Sequence, residues 1–199
     1  MWRVTKDGGV VVWVVADETK DYSETGTSFK QALYFKEIGF NIHDTMIYLK
    51  TGLGMPHQDR RYRNAFEYMF VFSKGRPNVY NLFTFPETGI IKPTTRRAKD
   101  GTISKGLYKV GGGVLGNVWQ YPGQHSDHPA PFPSQLVKDH ILTWSNPGQI
   151  VFDPFMGSGT TAIVAIETKR QFLGFEISEQ YCNMANKRIQ DHIYQESLF

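Results

Sequence analysis

The sequence predicts an α/β fold built around a parallel sheet, with an inserted lobe, and three observations carry that prediction. The last third alternates helix, strand, glycine loop, helix, strand and helix, the order of a βαβ unit with parallel strands. Near the N-terminus the continuous run VVVWVVA, Val10 to Ala16, follows a Gly8-Gly9 turn and reads as a strand covered on both faces. Between these parts, from Lys74 to about Ser126, glycine, proline and threonine are frequent and periodicity is weak. A structureless loop of that length is unusual inside a compact domain, so this stretch reads as a lobe of its own. The chain thus divides into residues 1–73, 74–126 and 127–199.

Taken in order, Ser28 to Ile38 has helical spacing, with Phe29, Leu33 and Ile38 on the apolar face. Thr27 or Ser28 can cap this helix and Gly39 stops it. Two strand-like runs follow, Phe40 to Leu49 and Phe66 to Phe72, joined by the polar, basic stretch Lys50 to Asn64. In the lobe, Lys92, Arg96, Arg97, Lys99, Lys105 and Lys109 stand against the single acid Asp100 in "KPTTRRAKDGTISKGLYK". Regular structure resumes after Pro133: a helix over Ser134 to Ser145 with Ser134 as its cap, a strand over Gln149 to Phe152, and a helix over Thr160 to Thr168. A strand over Phe172 to Glu176 and a final helix over Glu179 to Tyr194 complete the unit.

Composition sets the outer bounds. A length of 199 residues suits one domain with an insertion, and 40% hydrophobic residues is ordinary for a chain that buries a core. A net charge of +3 permits a nucleic-acid partner without requiring one. The single cysteine, Cys182, forbids an internal disulfide and favours a reducing, cytoplasmic setting. No signal-peptide layout is present, and the longest apolar run is far too short to span a bilayer, so no membrane association is expected.

The chemistry concentrates in "DPFMGSGTT", Asp153 to Thr161. Gly157 and Gly159 remove side chains where a ligand must approach backbone amides, and the helix that follows supplies free N–H groups and a partial positive charge. Glu176 stands 19 residues after Gly157, at the end of the next strand, where a carboxylate can accept hydrogen bonds from ribose hydroxyls. A nucleoside-triphosphate loop is excluded because no lysine follows Gly159. Three readings remain. A dinucleotide loop matches GSGTTA, although Asp153 would repel a pyrophosphate. A ligand with adenine, ribose and a cationic end, such as S-adenosylmethionine, turns Asp153 into an asset. The third is a tight turn that binds nothing. No metal site is expected.

These residues closely resemble the cofactor motif of amino-directed DNA methyltransferases, which methylate N4 of cytosine or N6 of adenine. "HPAPFPSQLVKDHILTWSNPG" and "FLGFEISEQYCNMANKRI" resemble the segments flanking that motif in the permuted, β-type members, and "GGVVVWVV", "GTSFKQALYFKEIGFNIHDTMIYLK" and "AFEYMFVFSKG" resemble the target-binding half. The resemblance covers nearly the whole chain apart from the lobe. It implies a Rossmann-like S-adenosylmethionine-dependent methyltransferase sheet, with a target-base half over 1–73, a target-recognition lobe over 74–126 and a cofactor half over 127–199. The late place of DPFMGSGTT is what the β-type order implies.

Carried over residue by residue, Asp153, Phe155, Gly157 and Gly159 form the cofactor loop, Thr160 begins the helix and Glu176 binds ribose. His128, Pro129, Phe132 and Ser134 lie beside the cofactor, with Ser134 also a candidate cap. Arg96, Arg97, Lys99 and Lys105 would meet the phosphates of double-stranded DNA. Asp17, after the VVVWVVA strand, is an active-site candidate or a loop cap. The family's target-base motif, Ser/Asp/Asn-Pro-Pro-aromatic, does not occur, and in the family it lies just before the region matched by Met1. The resemblance therefore implies a sheet incomplete at its N-terminus, lacking the strand between the cofactor strand and VVVWVV. This chain alone is then expected to be incomplete for catalysis; a second chain or a swapped protomer would supply that strand, or the sheet would rearrange. Two other functions stand beside this one: a non-catalytic remnant that binds DNA or cofactor, and a nicotinamide-dependent oxidoreductase.

Overall fold

The computed structural model describes residues 1–51, 60–62, 64–81, 91–109, 115–122 and 132–196. Most of the loop at Lys50 to Asn64, together with His128 and Pro129, lies outside them, as do the side chains of Lys92, Arg96 and Lys109. The chain forms two compact units, one of residues 1–81 with 117–199 and one of residues 82–116.

In the larger unit the elements are β1 (Val10–Val15), the short β2 (Thr19–Lys20) and β3 (Ser23–Glu24), α1 (Thr27–Glu37), β4 (Asn41–Thr51) and β5 (Phe66–Ser73). After the smaller unit, with β6 (Ile91–Arg97) and β7 (Ile103–Lys109), come β8 (Val118–Pro122), α2 (Ser134–Trp144), β9 (Ile150–Asp153), α3 (Thr160–Glu167), β10 (Gln171–Gly174) and α4 (Glu179–Glu196). The stretch expected to belong to the lobe up to residue 126 includes β8, which instead pairs with β4 in the main sheet.

β5 is the organising strand. It runs antiparallel to both β1 and β4, with Phe72 opposite Val11 on one side and Ile42 on the other. Its residues alternate between two faces, as the period of a strand requires. Phe70 and Phe72 pack with Ala32 and Phe35 of α1, while Met69 and Val71 pack with Leu136 of α2. Helices therefore cover both faces of the four-stranded sheet, ordered β1-β5-β4-β8, and a central strand buried on both sides reads as a near-continuous apolar run.

Three expectations change. The main sheet is mixed, since only β4 and β8 are parallel in it. The βαβ unit forms its parallel strands, β9 with β10, and among the described residues this pair shares no ladder with the main sheet, the gap at which the sequence predicts a missing strand. β1 is consequently an edge strand: only Val11 is buried and its neighbours are half-buried, not covered on both faces. In α1 the buried stripe is Ser28, Ala32 and Phe35, and Phe29 and Leu33 face outward. Phe29 meets the Tyr68 ring edge-to-face at 5.4 Å.

The end of α2 is tied to the start of β10 by Arg170, which donates from Nη2 to the Ser145 carbonyl at 2.6 Å and from Nε to Ser145 Oγ at 3.1 Å. Such a buried guanidinium is tolerable because its donors are spent on fixed oxygens.

In the smaller unit the weak periodicity conceals a hairpin. β6 and β7 are antiparallel, with Arg97 opposite Ile103 and Thr95 opposite Lys105. The turn uses Gly101 at φ 88°, and Thr102 donates its N–H to Asp100 Oδ1 at 2.9 Å. Asp100-Gly101 is a strong turn signal in the sequence itself.

Candidate functional site

The glycine loop joins β9 to α3, and its geometry is set by three charged side chains. Asp153, the last residue of β9, accepts a hydrogen bond on Oδ1 from the Phe155 N–H at 2.9 Å and on Oδ2 from Thr161 Oγ1 at 2.6 Å. It thereby ties the end of the strand to the first turn of α3, where acceptors are favoured by the exposed N–H groups. Glu176 lies two residues beyond β10 and accepts from the Gly157 N–H at 2.8 Å and from the Ser178 N–H at 2.9 Å. The acid expected at the strand's end thus sits just past it, against the loop. Arg188 of α4, missed in the sequence, donates from Nη1 to the Ser158 carbonyl at 2.5 Å and to Ser158 Oγ at 2.8 Å.

Both glycines are needed for their backbone. Gly157 has φ 53° and Gly159 φ 84°, a region that costs other residues strain. A Cβ on Gly159 would also lie 3.0 Å from Ala185 Cβ and 3.2 Å from Ala185 Cα, so α4 passes as close to the loop as a glycine allows.

Phe155 projects from the loop with 72% of its surface exposed, its ring 5.9 Å from Trp13 of β1. That contact sets the loop beside β1. Thr160 is the first residue of α3 and half-buried, while the bond to Asp153 is made by its neighbour Thr161. Phe132 and Ser134 lie at the start of α2, which packs against α3. Ser134 is the first helical residue, and Pro133 holds the cap position, so no side-chain cap forms there.

Asp17 is committed elsewhere. Its Oδ1 accepts from the Ser28 N–H at 3.0 Å and from Thr25 Oγ1 at 3.2 Å, and its Oδ2 accepts from Ser28 Oγ. Burial raises its pKa, but the hydrogen bonds outweigh that and hold the carboxyl below its ordinary value. This is the loop-capping alternative: Gly26 at the cap position of α1 has no side chain, and Asp17 supplies the missing acceptor from across the turn.

In the hairpin, Arg97, Lys99 and Lys105 are exposed, and the register puts Arg97 and Lys105 on one face with Lys99 at the turn. Arg96 pairs opposite Ser104.

What the loop can do chemically follows from its parts. A helix N-terminus, a fixed acid at the strand end, an acid facing the loop and a projecting aromatic ring suit a ligand with a cationic end and a ribose. They do not suit a pyrophosphate, which Asp153 would face.

The chain is similar to known proteins. The family described as DNA methylase, with N6 and N4 members, matches residues 1–187. The orphan methyltransferase M.BamHII of Bacillus amyloliquefaciens is 48% identical over 97% of this chain and 79% of its own length. The type II methyltransferase M.SmaI of Serratia marcescens is 29% identical over 82% of this chain, which spans only 51% of it. Among solved structures, the cytosine-N4-specific PvuII DNA methyltransferase superposes with a TM-score of 0.69 at 19% identity, covering 94% of this chain and 69% of that one. At that identity it speaks for the fold, and the fold is shared. By the match along residues 1–187 and by its likeness to M.BamHII, this chain belongs to the N6/N4 DNA methylase family.

Proposed function

We propose that the protein takes the methyl group of S-adenosylmethionine to an exocyclic amine of cytosine (N4) or adenine (N6) in DNA, at a short specific site. Family membership makes S-adenosylmethionine the methyl donor and DNA the substrate. The observation that carries the reading onto these residues is the pairing of Asp153 at the end of β9 with Glu176 against Gly157. In the bound state Asp153 faces the cationic end of the cofactor, Phe155 flanks it, and Glu176 receives the ribose hydroxyls. The amine attacks the methyl carbon directly as the sulfonium leaves, so the protein's contribution is alignment of an extruded base with the cofactor.

The strand edges beside the loop are open. β1 and β9 each end a sheet among the described residues, and Trp13 lies beside Phe155. Paired edges would satisfy the backbone groups of both, so we place there an extended segment: a strand bearing the target-base motif from a second, different chain, or a strand without that motif from a swapped protomer. No described helix is long and apolar enough to cross a membrane, which is compatible with a cytoplasmic enzyme.

Calorimetric titration with S-adenosylmethionine and with NADH, alongside transfer of labelled methyl to duplex DNA, tests the reading. Binding of S-adenosylmethionine alone is expected. NADH binding would overturn it, and methylation by this chain unaided would remove the need for a second segment.

In the lobe, Arg97 and Lys105 are proposed to neutralise DNA phosphates. Changing both to glutamine is expected to flatten the slope of log affinity against log salt by about one for each phosphate left without its cation, with cofactor affinity unchanged. A DNA titration at several salt concentrations decides this; an unaltered slope would remove the hairpin from the interface.

A further inference from the structure

We infer that Arg188 is a positioning residue of the cofactor loop, the second arm of a clamp whose first arm is Glu176. The inference rests on the reading of that loop as the cofactor site.

The clamp answers a mechanical problem. Gly157 and Gly159 flank Ser158, and glycine is the residue whose backbone turns most freely. Two peptide groups in this stretch therefore need to be held if their amides are to point one way. The Met156–Gly157 peptide is held at its N–H by Glu176 Oε2, at 2.8 Å, and at its carbonyl by the Gly159 N–H, at 3.0 Å. The Ser158–Gly159 peptide is held at its N–H by that same bond, and at its carbonyl only by Arg188, at 2.5 Å, among the hydrogen bonds described. Rotation of this peptide breaks both bonds at once. The second bond of Arg188, to Ser158 Oγ at 2.8 Å, holds the serine side chain against the same guanidinium.

The helix that carries Arg188 is already committed to the loop. Ala185, buried and one turn earlier on the same face of α4, is the residue that Gly159 approaches. Packing thus brings α4 to the loop, and the guanidinium locks what packing leaves free to turn. Bonds from a charged donor are the stronger kind. A loop ordered before the ligand arrives binds more tightly because less freedom is lost on binding.

The test uses the full chain in three forms: wild type, R188Q and R188K. Amide hydrogen exchange in the absence of cofactor reads the clamp directly. Faster exchange confined to residues 157–161 is expected in R188Q, with a melting temperature close to wild type. S-adenosylmethionine affinity by calorimetry should fall about tenfold in R188Q, with R188K intermediate because an ammonium keeps the charge but not the reach and planar shape of the guanidinium. Wild-type exchange over 157–161 in R188Q, or faster exchange spread over the whole protein in both variants, would overturn the inference. Should wild type fail to bind S-adenosylmethionine, the proposed function fails, while the exchange result still decides whether Arg188 orders the loop.

Discussion

Asp153→Ala is expected to weaken S-adenosylmethionine binding about a hundredfold or more. Two effects add. The carboxylate holds Phe155 N–H and Thr161 Oγ1 at 2.9 and 2.6 Å, so alanine leaves both donors without their acceptor and loosens the junction of β9 with α3. Hydrogen bonds to a charged group contribute roughly 1.5–3 kcal/mol each, and a hundredfold is about 2.7 kcal/mol. The second effect, on the proposed function, is loss of the negative charge that would face the cationic end of the cofactor at the helix start. Asp153→Asn separates the two, since an amide keeps one acceptor oxygen and removes the charge. If Asn binds as tightly as Asp by calorimetry, the charge argument falls and only the tether remains.

Phe72→Ala is expected to cost about 3–5 kcal/mol, a large share of the roughly 5–15 kcal/mol that holds a domain together. Phe72 has no exposed surface and lies in the strand paired on both sides. Its ring stacks on Phe35 of α1 at 4.3 Å with an interplanar angle of 6°, and it neighbours Phe70 and Phe40 at 6.0 and 6.3 Å. Truncation would empty the centre of that aromatic cluster and uncouple α1 from the sheet. Urea denaturation measures it directly; a loss below about 1 kcal/mol would show that the cluster collapses into the space.

Much of this molecule is legible in the amino acids because local chemistry decides it. The β-branched run from Val10 and the aromatic run from Phe66 become strands, and the glycine loop bridges strand and helix where Gly157 and Gly159 predict it. Asp153 and Glu176 are readable from type and spacing, and both sit at the loop. What escapes is what depends on distant partners. Whether Val12 and Val14 are covered is set by the strand beside β1, which their own alternation does not describe. Phe29 and Leu33 look like a helix stripe as well as Ala32 and Phe35 do, and only the sheet's position chooses between them. Arg188 looks like one more charge on an amphipathic helix until Gly159 meets Ala185 and brings the loop within its reach. Asp17 is the converse: an acid at a strand's end invites a catalytic reading, but Gly26 leaves α1 needing its carboxylate.

The edges of β1 and β9, unpaired among the described residues, also bear on how the protein behaves in solution. An unpaired strand edge is a template for any other extended chain. Here the β9–β10 pair carries Ile150, Phe172 and Leu173 with large exposed areas, and Phe175 and Ile177 follow just beyond. Sticky side chains and unpaired backbone in one place favour self-association that grows with concentration, and salts that strengthen apolar burial would speed it. Dilute, low-salt handling, or a peptide that caps the edge, should keep the chain dispersed.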